Sequence, residues 1–224
     1  MLSRNPAAVL WDMDGTIVDT EPLWIAAEQD LVKSHGGVWT EADSLALVGS
    51  ELLKAGEYIR NKAGLPITAA EVVDRLLSEV LAGVKQGVEW RPGAVELLSQ
   101  LSAAGVPCAL VTMSYRVLAD AVISQLPSDT FAAVITGDSV SKGKPHPEPY
   151  LAAAAELGVS PADCVVIEDS PTGVASGIAA GMPVLGVPNT VGLEPRPGLA
   201  LVETLAGIDP AGLVAAFGAG PAGR

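Results

Sequence analysis

Two aspartates stand two positions apart in Asp12-Met13-Asp14-Gly15-Thr16, and a second acidic pair stands in Glu168-Asp169-Ser170. Each pair closely follows a short apolar run, Ala8–Trp11 in one case and Cys164–Ile167 in the other. If the fold gathers them, up to four carboxylates crowd together. Two unit charges about 4 Å apart at an effective dielectric of about 20 repel by about 4 kcal/mol, so such a cluster takes up protons or recruits a cation. All-oxygen ligands favour a hard ion, above all Mg²⁺ when phosphate oxygens complete its octahedron. Lys144 lies in the stiff loop Lys142-Gly143-Lys144-Pro145-His146-Pro147, which aims its ammonium instead of letting it wander. An aimed cation beside carboxylates and Mg²⁺ suits a phosphoryl group. Thr112 follows the run Cys108–Val111 and adds a hydroxyl donor, while Ser170-Pro171 reads as an N-cap and first helical residue that turns a positive helix end toward the same place. A carboxylate can attack phosphorus to give an aspartyl-phosphate, and a neighbouring acid can protonate the leaving oxygen and then activate water; Asp12 and Asp14 have the right separation for those two roles.

These residues need elements to position them. Apolar runs recur at Ala8–Trp11, Cys108–Val111, Ala132–Ile135, Cys164–Ile167 and Pro183–Val187, continuous instead of alternating, which predicts strands buried on both faces of a parallel sheet. Helical spacing separates the later runs at Ala94–Ala104, Arg116–Gln125, Pro149–Leu157 and Pro171–Ala180. Strand then helix, repeated, predicts a doubly wound α/β sheet, and in such sheets ligands bind beyond the carboxyl ends of the strands, where all the motifs sit. Nearly a hundred residues separate the first run from the second, far beyond an ordinary connection. Helical patterns at Leu23–Ser34 and Glu71–Val84, broken at Gly36-Gly37 and Gly64-Leu65-Pro66, make this an inserted small α-helical cap. The expected division is a core of residues 1–20 and 89–224 and a cap of residues 21–88. The tail Gly218–Arg224, rich in Gly, Ala and Pro, is expected to fray.

Composition bounds the partners. The net charge of −13 argues against nucleic acid or an anionic membrane surface, so a phosphate ligand must be held by local features. With 49% hydrophobic and 17% charged residues, the 224-residue chain lies outside the disordered class and is long enough to bury a core. Cys108 and Cys164 cannot build a disulfide framework and sit in apolar runs, as buried thiols of a reducing cytoplasm do. The apolar stretch Ala7–Trp11 is too short for a signal-peptide core. Residues 170–193 carry no charge, but Pro183, Pro188 and five glycines divide them into helix-like and strand-like pieces, which favours buried core over a membrane span. The expected particle is a cytoplasmic monomer or weak homodimer acting on a small phosphorylated metabolite.

With D-x-D-G-T at Asp12–Thr16, T-x-S at Thr112–Ser114, G-K-P at Gly143–Pro145 and E-D-S at Glu168–Ser170 in this order, the chain resembles haloacid dehalogenase-superfamily phosphohydrolases, in the branch of β-phosphoglucomutase and small sugar-phosphate phosphatases. The resemblance covers essentially the whole chain. It implies Asp12 as nucleophile and Asp14 as general acid/base, Thr112 and Lys144 on the phosphate with Met113 and Ser114 beside them, and Mg²⁺ held by Asp12, the backbone carbonyl of Asp14 and Asp169, with Glu168 as ligand or support. On position alone, Glu21, Trp24, Gly49, Ser50 and Lys54 are expected on the cap face that meets the substrate. Mutases of this branch resemble D-x-D-G-V and carry Ser-Arg after the cap glycine; here Thr16 and Ser50-Glu51 stand there, which favours hydrolysis of a sugar or polyol phosphate over transfer. Dehalogenation is disfavoured because that branch lacks the second aspartate, Asp14. A non-catalytic binding module would have no chemical reason to keep Asp12, Asp14, Lys144 and Asp169 together.

Other readings of the same residues fit less well. A calcium loop counted from Leu10 lacks a ligand at its first position and follows a strand-like run. The stretch Gly137–Lys144 is one residue too long for a nucleotide P-loop and has Pro145 where Ser or Thr is needed. His35 and His146 are expected at the surface, because the aspartate pair already fills the acid/base roles.

Overall fold

The computed structural model describes residues 6–217, so the tail Gly218–Arg224 lies outside the described residues. The elements run β1 (Ala8–Trp11), α1 (Glu21–Ser34), α2 (Glu41–Leu45), α3 (Leu52–Ala63), α4 (Ala69–Gln86), α5 (Ala94–Ala103), β2 (Cys108–Val111), α6 (Arg116–Ile123), β3 (Ala133–Ile135), α7 (Glu148–Glu156), β4 (Cys164–Glu168), α8 (Pro171–Ala179), β5 (Val184–Gly186), β6 (Leu199–Leu201) and α9 (Pro210–Ala215). The strands form one parallel sheet in the order β3-β2-β1-β4-β5-β6. The chain winds outward from β1 in both directions, so the switch point of this doubly wound α/β sheet lies between β1 and β4, where such folds leave a crevice at the carboxyl ends.

The continuous apolar strands are explained by cover on both faces. Val9 and Trp11 of β1 point into a cluster with Leu97 and Leu101 of α5, Leu118 of α6 and Leu213 of α9. Their neighbours Ala8 and Leu10 point the other way, against Tyr150 and Ala153 of α7 and Val174 of α8. Register aligns the strand ends: Trp11 pairs with Leu110 of β2 and Ile167 of β4. The residues that follow, Asp12, Thr112 and Glu168, therefore emerge near one another.

Between β1 and β2, helices α1 to α4 form an all-helical segment, as the sequence predicts. α4 packs on α1 and α3 and also contacts α6. Its start is fixed by a capping box, in which Thr68 Oγ1 accepts from Glu71 N–H at 3.2 Å while Glu71 Oε2 accepts from Thr68 N–H at 2.7 Å.

Three helices and a strand depart from the sequence reading. α3 carries Gly56 at mid-helix, which reads as a weakness locally, yet a Cβ there would sit 2.6 Å from the Ala69 carbonyl oxygen. The glycine lets α3 approach α4 closely. β6 is a short, half-exposed edge strand with no buried apolar run to announce it, and α2 and α9 are one to two turns long. The uncharged stretch 170–193 resolves into α8, β5 and their connections, and no described helix is long and apolar enough to cross a membrane. Cys108 and Cys164 are buried and free.

Candidate functional site

The loop after β1 turns at Gly15, whose φ of +83° favours glycine; a Cβ there would also lie 2.2 Å from Asp169 Oδ2. This turn leaves Asp12 buried at the strand end and Asp14 half-buried at the mouth. The Asp14 carboxylate is held by three hydroxyls: Thr20 donates to Oδ1 at 2.5 Å, and Thr112 and Ser114 donate to Oδ2 at 3.1 and 2.8 Å. Thr112, fully buried, accepts in turn from the Ser114 N–H at 3.0 Å. The T-x-S pair thus orients Asp14 directly.

Glu168 lies under the N-terminus of α8 and accepts five hydrogen bonds. Oε1 receives Lys144 Nζ at 2.7 Å and the Tyr150 hydroxyl at 2.9 Å; Oε2 receives the N–H groups of Asp169 and Ser170, each at 3.1 Å, and the Ser170 hydroxyl at 3.0 Å. Ser170 is the expected N-cap, accepting from Gly173 N–H at 3.0 Å. The carboxylate fits there only because residue 173 has no side chain, since a Cβ would fall 1.5 Å from Glu168 Oε1. Gly173→Ala should therefore push Glu168 off its donors and lower stability by about 1–3 kcal/mol in urea unfolding. Lys144 Nζ bridges Glu168 to Asp12 Oδ1, 2.6 Å away, and also donates to the Val111 carbonyl at 2.8 Å. The loop is pinned from behind by Met113, whose sulfur accepts from Lys144 N–H at 3.2 Å.

Burial sets the electrostatics. Asp12 is pushed up to about 7 by loss of water, with Glu168 and Asp14 adding to the rise and Lys144 opposing it. Asp169 is raised well above the carboxylate range, first by burial and then by Asp12, Glu168 and Glu21. Burial alone would lower the Lys144 ammonium, but Asp12 and Glu168 outweigh it and the net shift is upward. Asp12, Glu168 and Asp169 each offer a carboxylate oxygen within 4.8 Å of the others. Such a cluster gains from a divalent cation, and its all-oxygen character fits Mg²⁺. The five donors on Glu168 occupy both its oxygens, whereas Asp169 receives one side-chain bond, from Thr16 at 3.2 Å. The Asp14 carboxylate lies outside the group.

A cavity partly open to solvent begins at these residues and extends under α1, α2 and α3. Of the sequence-derived binding residues, Thr112, Met113, Ser114, Lys144, Glu21 and Gly49 reach it. Trp24 and Ser50 also line it. Lys54 does not; its exposed ammonium pairs with Glu51 at 2.9 Å, one turn earlier on the surface. His35 and His146 are exposed, as expected. Sequence reasoning missed Thr16, Thr20, Tyr150 and Gly173, and the cavity wall at Glu28 and Ser44. The sequence assigns Thr112 and Ser114 to the phosphate and gives no sign of their bonds to Asp14, and nothing local marks Tyr150, which reaches Glu168 from α7.

The profile of the haloacid dehalogenase-like hydrolases matches residues 6–181. The chain is 36% identical over 180 residues to hexitol phosphatase A of Escherichia coli (strain K12), covering 80% of this chain and 81% of that one. It is 35% identical over 193 residues to the bifunctional riboflavin kinase/FMN phosphatase of Arabidopsis thaliana, covering 84% of this chain but spanning only 50% of that protein. The crystal structure of CbbY from Rhodobacter sphaeroides in complex with phosphate superposes with a TM-score of 0.81 at 26% identity, covering 93% of this chain and 99% of the other.

Proposed function

This chain belongs to the haloacid dehalogenase-like hydrolases, and we propose that it is a Mg²⁺-dependent phosphatase of a small sugar or polyol phosphate, working through an aspartyl-phosphate on Asp12. The observation that carries this reading is the convergence of Asp12, Asp14, Lys144 and Asp169 on the wall of one cavity. The named relatives act on phosphorylated small molecules, in keeping with that substrate class.

In the first step an Asp12 oxygen attacks phosphorus, the ester P–O bond breaks, and Asp14 gives a proton to the departing alkoxide. In the second, water attacks phosphorus as Asp14 takes its proton, the bond to Asp12 breaks, and inorganic phosphate leaves. Thr20, Thr112 and Ser114 hold the Asp14 carboxylate in one orientation throughout. Lys144 holds one Asp12 oxygen, which leaves the other to attack. Asp12, Asp169 and the Asp14 backbone carbonyl would hold Mg²⁺, which when bound neutralises charge on the phosphoryl oxygens. Glu168 supports the site by anchoring Lys144, because its own oxygens are already engaged.

In this reading residues 21–88 act as a cap over a core of residues 1–20 and 89–224. Their two links to the core run side by side where Asp19 N–H donates to the Glu89 carbonyl at 2.8 Å. Glu51 Oε1 accepts from Gly143 N–H at 2.9 Å, and Gly49 lies against Ser170, so the cap touches the loop of Lys144 and the start of α8. Closure would exclude water during the first transfer. The mutase alternative is disfavoured because Glu51, in the region where an anchor for a second phosphate would stand, is a carboxylate engaged with Gly143 and Lys54.

Hydrolysis of p-nitrophenyl phosphate and of a panel of sugar and polyol phosphates should vanish in chelator and return with Mg²⁺. The metal-free protein should also respond to pH. Because Asp12 and Asp169 have folded-state pKa values above their unfolded ones, the native state binds more protons than the unfolded chain between about pH 4 and pH 7, so stability falls as pH rises through that window, by at most about 4 kcal/mol from Asp12. Added Mg²⁺ should therefore raise Tm more at about pH 8 than at about pH 5. Full activity in chelator, or an equal Mg²⁺ effect at both pH values, would contradict the reading.

A further inference from the structure

The wall that α1 gives the cavity is acidic. One face of α1 presents Glu21, Trp24, Ile25 and Glu28 to it, residues at helical spacing on a single stripe. The charged side chains lining the whole cavity are Asp12, Asp14, Glu21, Glu28, Asp169 and Lys144 among the described residues, and the lone amine is already engaged by Asp12, Glu168 and the Val111 carbonyl. Among the described residues no other cation lines the cavity.

Glu28 is the unusual member. It is 5% exposed, and no Lys or Arg pairs with it among the described residues. Its placement is enforced by Trp39, whose indole N–H is shared between Glu28 Oε2 and Ser44 Oγ, each at 3.0 Å. A buried carboxylate without a cationic partner costs stability unless hydrogen-bond donors meet it, and an ionised carboxylate only accepts. The complementary ligand brings hydroxyls, not a second anion.

Resting on the phosphatase reading above, we propose that Glu28, positioned by Trp39, selects monophosphate esters whose remaining part is uncharged and hydroxyl-bearing, and rejects those with a second phosphate. A second phosphate on a short carbon skeleton would enter a region whose ionisable neighbours are carboxylates. Burial favours their neutral forms, pushing Glu21 up to about 7 and Glu28 in the same direction, so a second anion either meets their charge or forces them to take up protons, and both weaken its binding.

The test uses glucose 6-phosphate and glucose 1,6-bisphosphate, which share a skeleton, as competitive inhibitors of p-nitrophenyl phosphate hydrolysis by the Mg²⁺-loaded protein. The native Ki should favour the monophosphate by about tenfold to a hundredfold, and Glu28→Gln, which removes the ionisable carboxyl and keeps an acceptor, should shrink that ratio by about tenfold. Trp39→Phe removes a donor that favours the Glu28 carboxylate but leaves the carboxyl group in place, so with the comparison made at about pH 8 it should weaken monophosphate binding while the ratio stays within about threefold of native. If the native protein cleaves no phosphate ester, the phosphatase reading falls and takes this proposal with it. If it cleaves p-nitrophenyl phosphate but the Ki ratio is near one, or Glu28→Gln leaves the ratio unchanged, only the role of Glu28 is overturned. A ratio that collapses equally in Trp39→Phe would likewise overturn it, by showing that the shape of the wall and not its charge discriminates.

Discussion

Asp12→Asn should eliminate turnover, with kcat falling by at least about 10⁴-fold, because an amide cannot form the covalent phosphoryl intermediate. The substitution is nearly isosteric, and its carbonyl can still accept from Lys144 Nζ, which lies 2.6 Å from Oδ1 in the native side chain. The fold should therefore survive. In chelator the variant should be at least as stable as the native protein near neutral pH, since it removes a carboxylate whose burial beside Glu168 and Asp14 already pushes it up to about 7. Steady-state kinetics with Mg²⁺, acid trapping of radiolabelled phosphate on the protein and a thermal melt check these outcomes together. Activity within tenfold of native would end the assignment of Asp12 as the attacking group.

Lys144→Met should damage both stability and activity. The ammonium is 3% exposed and holds Asp12 and Glu168 at 2.6 and 2.7 Å, beneath the ring of Tyr150 at 5.0 Å from its centroid. Removing one partner of such a buried group leaves the others uncompensated, at a cost of about 3–5 kcal/mol. Methionine fills similar volume, so the loss would report charge and hydrogen bonding instead of a cavity. Urea unfolding should show a lowered midpoint with little change in slope, and kcat/KM should drop by about 10³-fold or more even where the variant remains folded. An unchanged midpoint would mean that Glu168 is adequately held by Tyr150 and the α8 N-terminus alone.

Much of this architecture was legible because the motifs are local and strand polarity carries them to a common place. Ala8–Trp11 and Cys108–Val111 are continuous apolar runs, and a parallel sheet covered on both faces is where such runs settle. Each ends in its polar motif at the carboxyl end, so Asp12, Thr112 and Glu168 had to emerge on the same edge once the strands paired. Gly15, Ser170 and Pro171 also act within their own turns, and their types suffice to show it. α3 was not legible for the opposite reason: Gly56 weakens the local helical signal and is explained only by the backbone of α4 lying against it.

Residue types and order alone thus determined the doubly wound sheet, the helical insertion and the acidic cluster with its lysine, because periodicity, turn chemistry and chain direction act over a few residues. Tertiary structure alone decided how those groups are held and what faces them: Tyr150 reaching Glu168 from α7, Gly173 yielding its space to that carboxylate, Glu51 meeting the Lys144 loop, and Glu28 fixed in the cavity wall by Trp39. These contacts join segments distant in the chain or packed through loops, and a hydrogen bond or close approach of that kind depends on where two backbones come to rest, which no local pattern encodes.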